Sequence, residues 1–221
     1  LLDGAVKVDD LVRHCVDNGI NAVAITDHGN MYASLKFAEK CKKNKIKAII
    51  GCEFYVVDDY RQHIDQKADH LILLAKNKAG YVNLVQLDSL AFVDGYYYRP
   101  RIDYTVLKEH TNGVICLSAC LAGRIPRLLL AGEYEKAKAF ALEMKEAFGE
   151  DFYIEIQDHG IPEQKQILPL LVRLARETDI GLVATNDVHY LKKADWEMQD
   201  VLMCIQTKRP LADPSRMKMQ T

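Results

Sequence analysis

Four short clusters in this sequence combine histidine, carboxylate and thiol side chains at the ends of apolar runs. Thr-Asp-His-Gly occupies Thr26–Gly29 and Gly-Cys-Glu occupies Gly51–Glu53. Ala-Asp-His stands at Ala68–His70, and Asn-Asp-Val-His-Tyr at Asn186–Tyr190. Glu53 interrupts an apolar run, and a charge in such a place is costly unless it is paired or bound to a cation. Asp187 and His189 are two apart, so an extended backbone aims both side chains to one face. Imidazole and carboxylate together suit zinc, manganese or iron, and this many of them permits more than one ion. A bridging carboxylate such as Glu53 holds two ions a few ångströms apart. That arrangement activates water and clamps the oxygens of a phosphate ester, so the expected chemistry is phosphoester hydrolysis. No Gly-rich nucleotide loop and no Gly-x-Ser-x-Gly elbow competes with it.

Each member also has an ordinary reading. Asp27 and His28 suit a helix N-cap, His70 a strand start, Cys120 a core thiol and His159 a turn. His14, His63 and His110 stand in helix or loop contexts, apart from the clusters. The conjunction carries the argument, not any single residue.

Elements must bring these residues together. Strands are expected at 22–26, 48–57, 70–75, 114–118, 152–157 and 181–185, mostly near-continuous apolar runs of the kind parallel strands show. Helices are expected at 7–18, 32–44, 80–91, 133–148, 162–178 and 194–206. The alternation gives an α/β fold, either an open doubly wound sheet or a closed barrel. Residues just beyond parallel strand ends converge on one rim, where barrel enzymes keep their sites. The segment 58–69 reads as a polar surface loop. Residues 1–208 read as one metal-binding domain, and 209–221, with Pro210 and Pro214, as a linker.

Of 221 residues, 49% are hydrophobic, enough for a substantial core. A net charge of −2 excludes a surface devoted to coating nucleic acid, so any such contact is local. Lys36, Lys40, Lys43 and Lys47 read as one solvated helix side. Six cysteines without a Cys-x-x-Cys pair fit a reducing, cytoplasmic setting without disulfides. No apolar run approaches the roughly 20 residues of a membrane span.

The quoted clusters, with Leu-Leu-Asp-Gly at 1–4, Tyr-Tyr-Arg-Pro-Arg-Ile-Asp at 97–103 and Leu-Ser-Ala-Cys-Leu-Ala-Gly-Arg-Ile-Pro at 117–126, carry a resemblance. The sequence resembles the PHP (polymerase and histidinol phosphatase) domain of bacterial DNA polymerase III alpha subunits, along essentially its whole length. The resemblance implies a distorted seven-stranded (β/α) barrel holding up to three divalent metal ions. Carried over by motif, the ligands are Asp3, His28, Glu53, His70, Cys120, Asp187 and His189, with Asp27 and His159 as weaker members. Glu53, Asp187 and His189 are its implied catalytic residues. The family's His-x-His pair precedes the Leu-Leu-Asp-Gly motif, so that pair and a first strand are expected to be missing together from this chain, leaving the metal site incomplete.

The implied parent is a DNA-directed DNA polymerase, with this domain a 3′–5′ exonuclease-type phosphoesterase acting at a DNA primer terminus. A structural platform for the other polymerase domains and a proofreading exonuclease subunit is the alternative. A free-standing phosphomonoesterase is the third reading. Arg99, Arg101 and Arg124 are the expected phosphate-steering residues.

Overall fold

A computed structural model describes residues 4–214 of the chain. Seven strands form one sheet: β1 (Ala22–Ile25), β2 (Lys47–Val57), β3 (Asp69–Ala75), β4 (Arg101–Asp103), β5 (Val114–Leu117), β6 (Phe152–Ile156) and β7 (Gly181–Ala184). Their order is β1-β2-β3-β5-β6-β7, with β4 also paired to β2. The helices are α1 (Val8–Asp17), α2 (Ser34–Lys43), α3 (Lys78–Val93), α4 (Tyr104–Lys108), α5 (Arg124–Leu130), α6 (Tyr134–Phe148), α7 (Pro162–Thr178) and α8 (Trp196–Thr207). The sheet curls into a half-barrel, and among the described residues no ladder joins β1 to β7.

β2 is long because it serves three neighbours. Along one edge it pairs in parallel with β1 at 47–50 and with β4 at 55–57. An isolated bridge between His28 and Glu53 spans the interval on that edge. Its other edge carries β3, antiparallel over residues 51–56. β3 is antiparallel to β5 as well, which corrects the expectation of parallel strands here. An apolar run packed on both faces has no signature of direction, so periodicity is silent on this point. The reversal has a functional effect: β3 begins at the rim where its neighbours β2 and β5 end. His70 therefore reaches that rim from a strand's start.

The register sorts side chains between two faces. Cys52, Phe54 and Val56 of β2, Leu71 and Leu73 of β3, Cys116 of β5 and Ile154 of β6 belong to the main core. Against them pack Leu84 and Leu87 of α3, Met144 of α6, and Ile167, Leu171 and Leu174 of α7. The opposite face holds a smaller cluster of Ile72, Leu117 and Ala119, with Tyr153 and Val183 against it. Glu53 lies across from Ile72, and Ile72 across from Leu117, so these share the concave face. The carboxylates of the site project from this thinner, inner face.

A third cluster joins α1 and α2 to β1 through Val12, Cys15, Phe37 and Cys41. Lys36 and Lys40 of α2 reach Asp9 of α1 at 3.2 and 2.7 Å, so part of the expected solvated lysine row crosslinks two helices. Lys47 starts β2 rather than ending a helix. The six cysteines are free thiols. No helix among the described residues is long and apolar enough to cross a membrane.

The short elements α4, α5 and β4 lie outside the sequence expectations. Asp103 starts α4 by accepting a hydrogen bond from the Val106 amide at 2.9 Å. Asp69 is the first residue of β3 and only 2% exposed, not part of the polar loop. It accepts from Arg124 at 2.6 Å and from the Tyr104 hydroxyl at 3.2 Å, and it pairs closely with Arg127.

Candidate metal centre

Glu53 stands at the middle of the site. It is 4% exposed, yet both its oxygens face imidazoles: Oε1 lies 2.6 Å from His70 Nδ1 and Oε2 3.4 Å from His28 Nδ1. One ligand atom from each of His28, Glu53 and His70 falls within 4.8 Å of the others. The local backbone explains the convergence. The Glu53 amide donates to the Asp27 carbonyl at 3.1 Å, and the Gly29 amide to the Glu53 carbonyl at 2.8 Å. This ladder fixes His28 beside Glu53. Gly29 has φ of 59°, and a Cβ there would meet Pro100 at 2.8 Å and the Tyr55 ring at 3.1 Å. The motif therefore needs glycine for both conformation and space.

Other residues close around this trio. Cys120 Sγ is 3.9 Å from His70 Nδ1, placed by the left-handed Ala119 at the end of β5. The His189 ring is 6.1 Å from that of His28. Its Nδ1 is held by the Asp187 carbonyl at 2.7 Å, leaving Nε2 as the nitrogen that can face an ion. Asp187 itself has φ of 44°, so the Asp-Val-His segment is not the extended strand that the spacing suggested. A left-handed turn brings the two side chains together instead, with Asp187 Oδ1 3.8 Å from His189 Nδ1. Aspartate tolerates that conformation better than most residues.

The electrostatics favour a cation. Burial and the nearby Glu53 charge raise the Asp187 pKa, although three histidines oppose the shift. Burial, then Glu53 and Asp187, push the Cys120 thiol up to about 12. Glu155, also 5% exposed, has its pKa raised by burial and, to a smaller extent, by Asp187 and Glu53. Acidic groups crowded in a dry site repel one another, and a divalent ion relieves that repulsion. The donor set of imidazole, carboxylate and thiol therefore fits a divalent metal.

Glu155 escaped the sequence reading. Its Oε1 accepts from Gln157 at 3.1 Å and closely from Thr185, while Oε2 is buried without a hydrogen bond. The signal was available: Glu155 interrupts Phe-Tyr-Ile-Glu-Ile much as Glu53 interrupts its own strand. It shares a small cavity with Cys120, Gln157 and Gln164.

The remaining expectations divide. Asp3 lies outside the described residues. The Asp27 carbonyl also accepts from the Cys52 thiol at 3.4 Å, and burial raises the pKa of its carboxyl group. His159 Nε2 meets the Asn186 carbonyl at 2.8 Å and its Nδ1 meets the Gln164 amide at 3.0 Å. Both ring nitrogens are thus engaged, which suits bracing of the 186–190 turn rather than ligation.

Arg101 is corrected as a phosphate-steering residue. It is 3% exposed, and its guanidinium donates to the carbonyls of Gly95, Ile64 and Gln62. Arg124 is held by Asp69 and Asp58, with its guanidinium 4.5 Å from the Tyr104 ring centre. Arg99 alone of the three is exposed, and it lies 4.9 Å from the Tyr55 ring centre. His14, His63 and His110 bond to Asn18, the Asp94 carbonyl and the Val106 carbonyl, away from the centre.

Residues 1–159 match the family described as PHP domain. The chain belongs to the PHP family. DNA polymerase III subunit alpha of Treponema pallidum is 48% identical over 227 residues, covering all of this chain and 19% of that protein. The same subunit of Borreliella burgdorferi is 43% identical over 226 residues, with 100% and 20% covered. This PHP chain thus spans about a fifth of the length of the curated relatives it matches. Among solved structures, one described as a metal-dependent phosphoesterase from Bifidobacterium adolescentis superposes with a TM-score of 0.50 at 16% identity. That match covers 85% of this chain and 84% of the other. An amidohydrolase from Chromobacterium violaceum gives 0.51 at 12% identity, with 90% and 93% covered. At these identities the likeness is one of fold.

Within the PHP centre, His159 provides a test of bracing against ligation. Replacing His159 by Ala is expected to weaken metal retention about tenfold, the lower range for residues that orient ligands. Metal titration monitored by isothermal calorimetry measures this. Disappearance of a whole binding site would make His159 a ligand.

Proposed function

We propose that this PHP centre is a divalent-metal phosphodiesterase that removes nucleotides from a 3′ DNA end, within a DNA polymerase III alpha subunit. The observation that carries the reading is buried Glu53 between His28 and His70, with Cys120, Asp187 and His189 around it. When bound, the ions would lower the pKa of a water and draw charge from the phosphate oxygens. The chain's own part is positional. Glu53 sets the spacing of two imidazoles through its two oxygens. The left-handed turn at Asp187 sets the approach of His189. Glu155, whose pKa burial raises, is the group able to hold a proton beside the reaction.

In this proposal the other domains of the longer chain add nucleotides, and a separate proofreading subunit is a neighbour.

The test is Mn²⁺- or Zn²⁺-dependent cleavage of a 3′-mismatched primer by the full-length chain, with the polymerase active site inactivated. Substitution of Asp187 by Asn is expected to remove metal-dependent cleavage while the fold, read by circular dichroism, is kept. Bound metal with equal cleavage in both proteins would reject the assignment. Bound metal without cleavage in the parent would leave a structural metal platform.

A further inference from the structure

An aromatic edge stands in solvent directly beside the metal centre. Tyr98 is 82% exposed and Tyr96 52% exposed. Tyr98 also has φ of 59°, a conformation that costs a bulky residue roughly 1 kcal/mol. The turn is held around it: the Tyr97 amide donates to the Arg99 carbonyl at 3.1 Å, and the Tyr97 and Tyr98 rings meet edge to face at 4.6 Å. Burial does not recompense this arrangement, since the Tyr98 ring remains in water. Strain of this kind concentrates where a side chain is presented to a ligand.

The edge is joined to the centre by direct contacts. The Arg99 guanidinium lies over Tyr55, whose ring is 5.2 Å from His70 and 5.9 Å from His28. Pro100 packs beside Gly29 of the His28 motif. One ring therefore separates the exposed cation from the metal ligands.

We propose that Tyr98 and Arg99 form a subsite for an unpaired nucleotide of single-stranded DNA, next to the phosphodiester held at the centre. This rests on the phosphodiesterase reading above. Tyr98 stacks on the base and Arg99 meets the neighbouring phosphate. Every base has a π face, so the subsite tolerates any sequence, as a trimming activity requires. A chain of net charge −2 has little diffuse attraction for DNA, and a local aromatic and cationic pair supplies what the surface as a whole does not.

The experiment uses the full-length chain and oligo(dT) ending in 5-iodo-2′-deoxyuridine, irradiated in EDTA so that capture does not depend on cleavage. Mass spectrometry is expected to locate an adduct at Tyr98. The adduct should persist in Tyr98→Phe and vanish in Tyr98→Ala. In metal-dependent cleavage, Tyr98→Ala is expected to raise KM about tenfold, with kcat within about twofold, from loss of one stacking contact. Adducts only elsewhere, with KM unchanged in Tyr98→Ala, would overturn the subsite and leave the phosphodiesterase reading in place. An adduct at Tyr98 in a chain without metal-dependent cleavage would support the subsite and overturn the nuclease reading. No adduct, with Tyr98 shielded from chemical labelling in the full-length chain, would assign this edge to contact between domains and overturn the subsite.

Discussion

Glu53→Gln is expected to strip the centre of metal and lower phosphodiester cleavage about a thousandfold or more. The magnitude follows from losing several kcal/mol of metal-borne transition-state stabilisation, with each 1.36 kcal/mol worth a factor of ten. Glutamine keeps the shape of Glu53 and one hydrogen-bond acceptor toward the imidazoles. It removes the charge on which His28 and His70 both converge. The fold should tolerate the exchange, because the outer-face core of Phe54, Leu73 and Ile154 is untouched. Metal content by plasma mass spectrometry and cleavage rate are the two readouts. Retention of both at parental levels would mean that Glu53 is a buried hydrogen-bond partner and no ligand.

Asp69→Asn is expected to cost about 2–3 kcal/mol of stability, slightly below the usual cost of breaking a fully buried ion pair. The discount reflects Arg124 and Arg127, whose side chains are 30% and 20% exposed and can draw on water. At roughly 2–4 °C per kcal/mol for a chain of this size, Tm falls by about 4–12 °C. Asp58 provides the contrast. It meets the same Arg124 at 2.7 Å, but its side chain is 82% exposed. Asp58→Asn should therefore shift stability by no more than about 0.5 kcal/mol. Thermal melts of both variants decide the matter. Equal effects would show that the interaction between Asp69 and the arginines is no stronger than a surface pair.

The other six strands and the six longer helices were legible because each lies within its own run or pattern of apolar residues. β4 was not, since three residues contain no period, and its existence depends on Val56 meeting Ile102 far along the chain. The reversal of β3 was illegible for the reason given above. At the centre, the carboxylate interrupting an apolar strand is buried between two histidines at Glu53. The same signal stands at Glu155, four residues before His159. Arg101 misled for a converse reason: arginine is normally a surface residue, and only the three carbonyls assembled by distant loops make its burial tolerable. Asp187 and His189 come together in space, but through a left-handed turn that a spacing argument does not foresee.

The antiparallel setting of β3 also bears on how such a centre can diversify. β2 leaves the rim at Val57 and β3 returns to it at Asp69, so the connecting segment hangs at the mouth of the site rather than behind the sheet. Its middle is moored by Arg101 to the strip that bears Tyr98, through the Gln62 and Ile64 carbonyls. Lengthening or shortening this overhang alters no strand pairing. Insertions there can reshape who enters the site, while the ligands beneath stay where the sheet holds them.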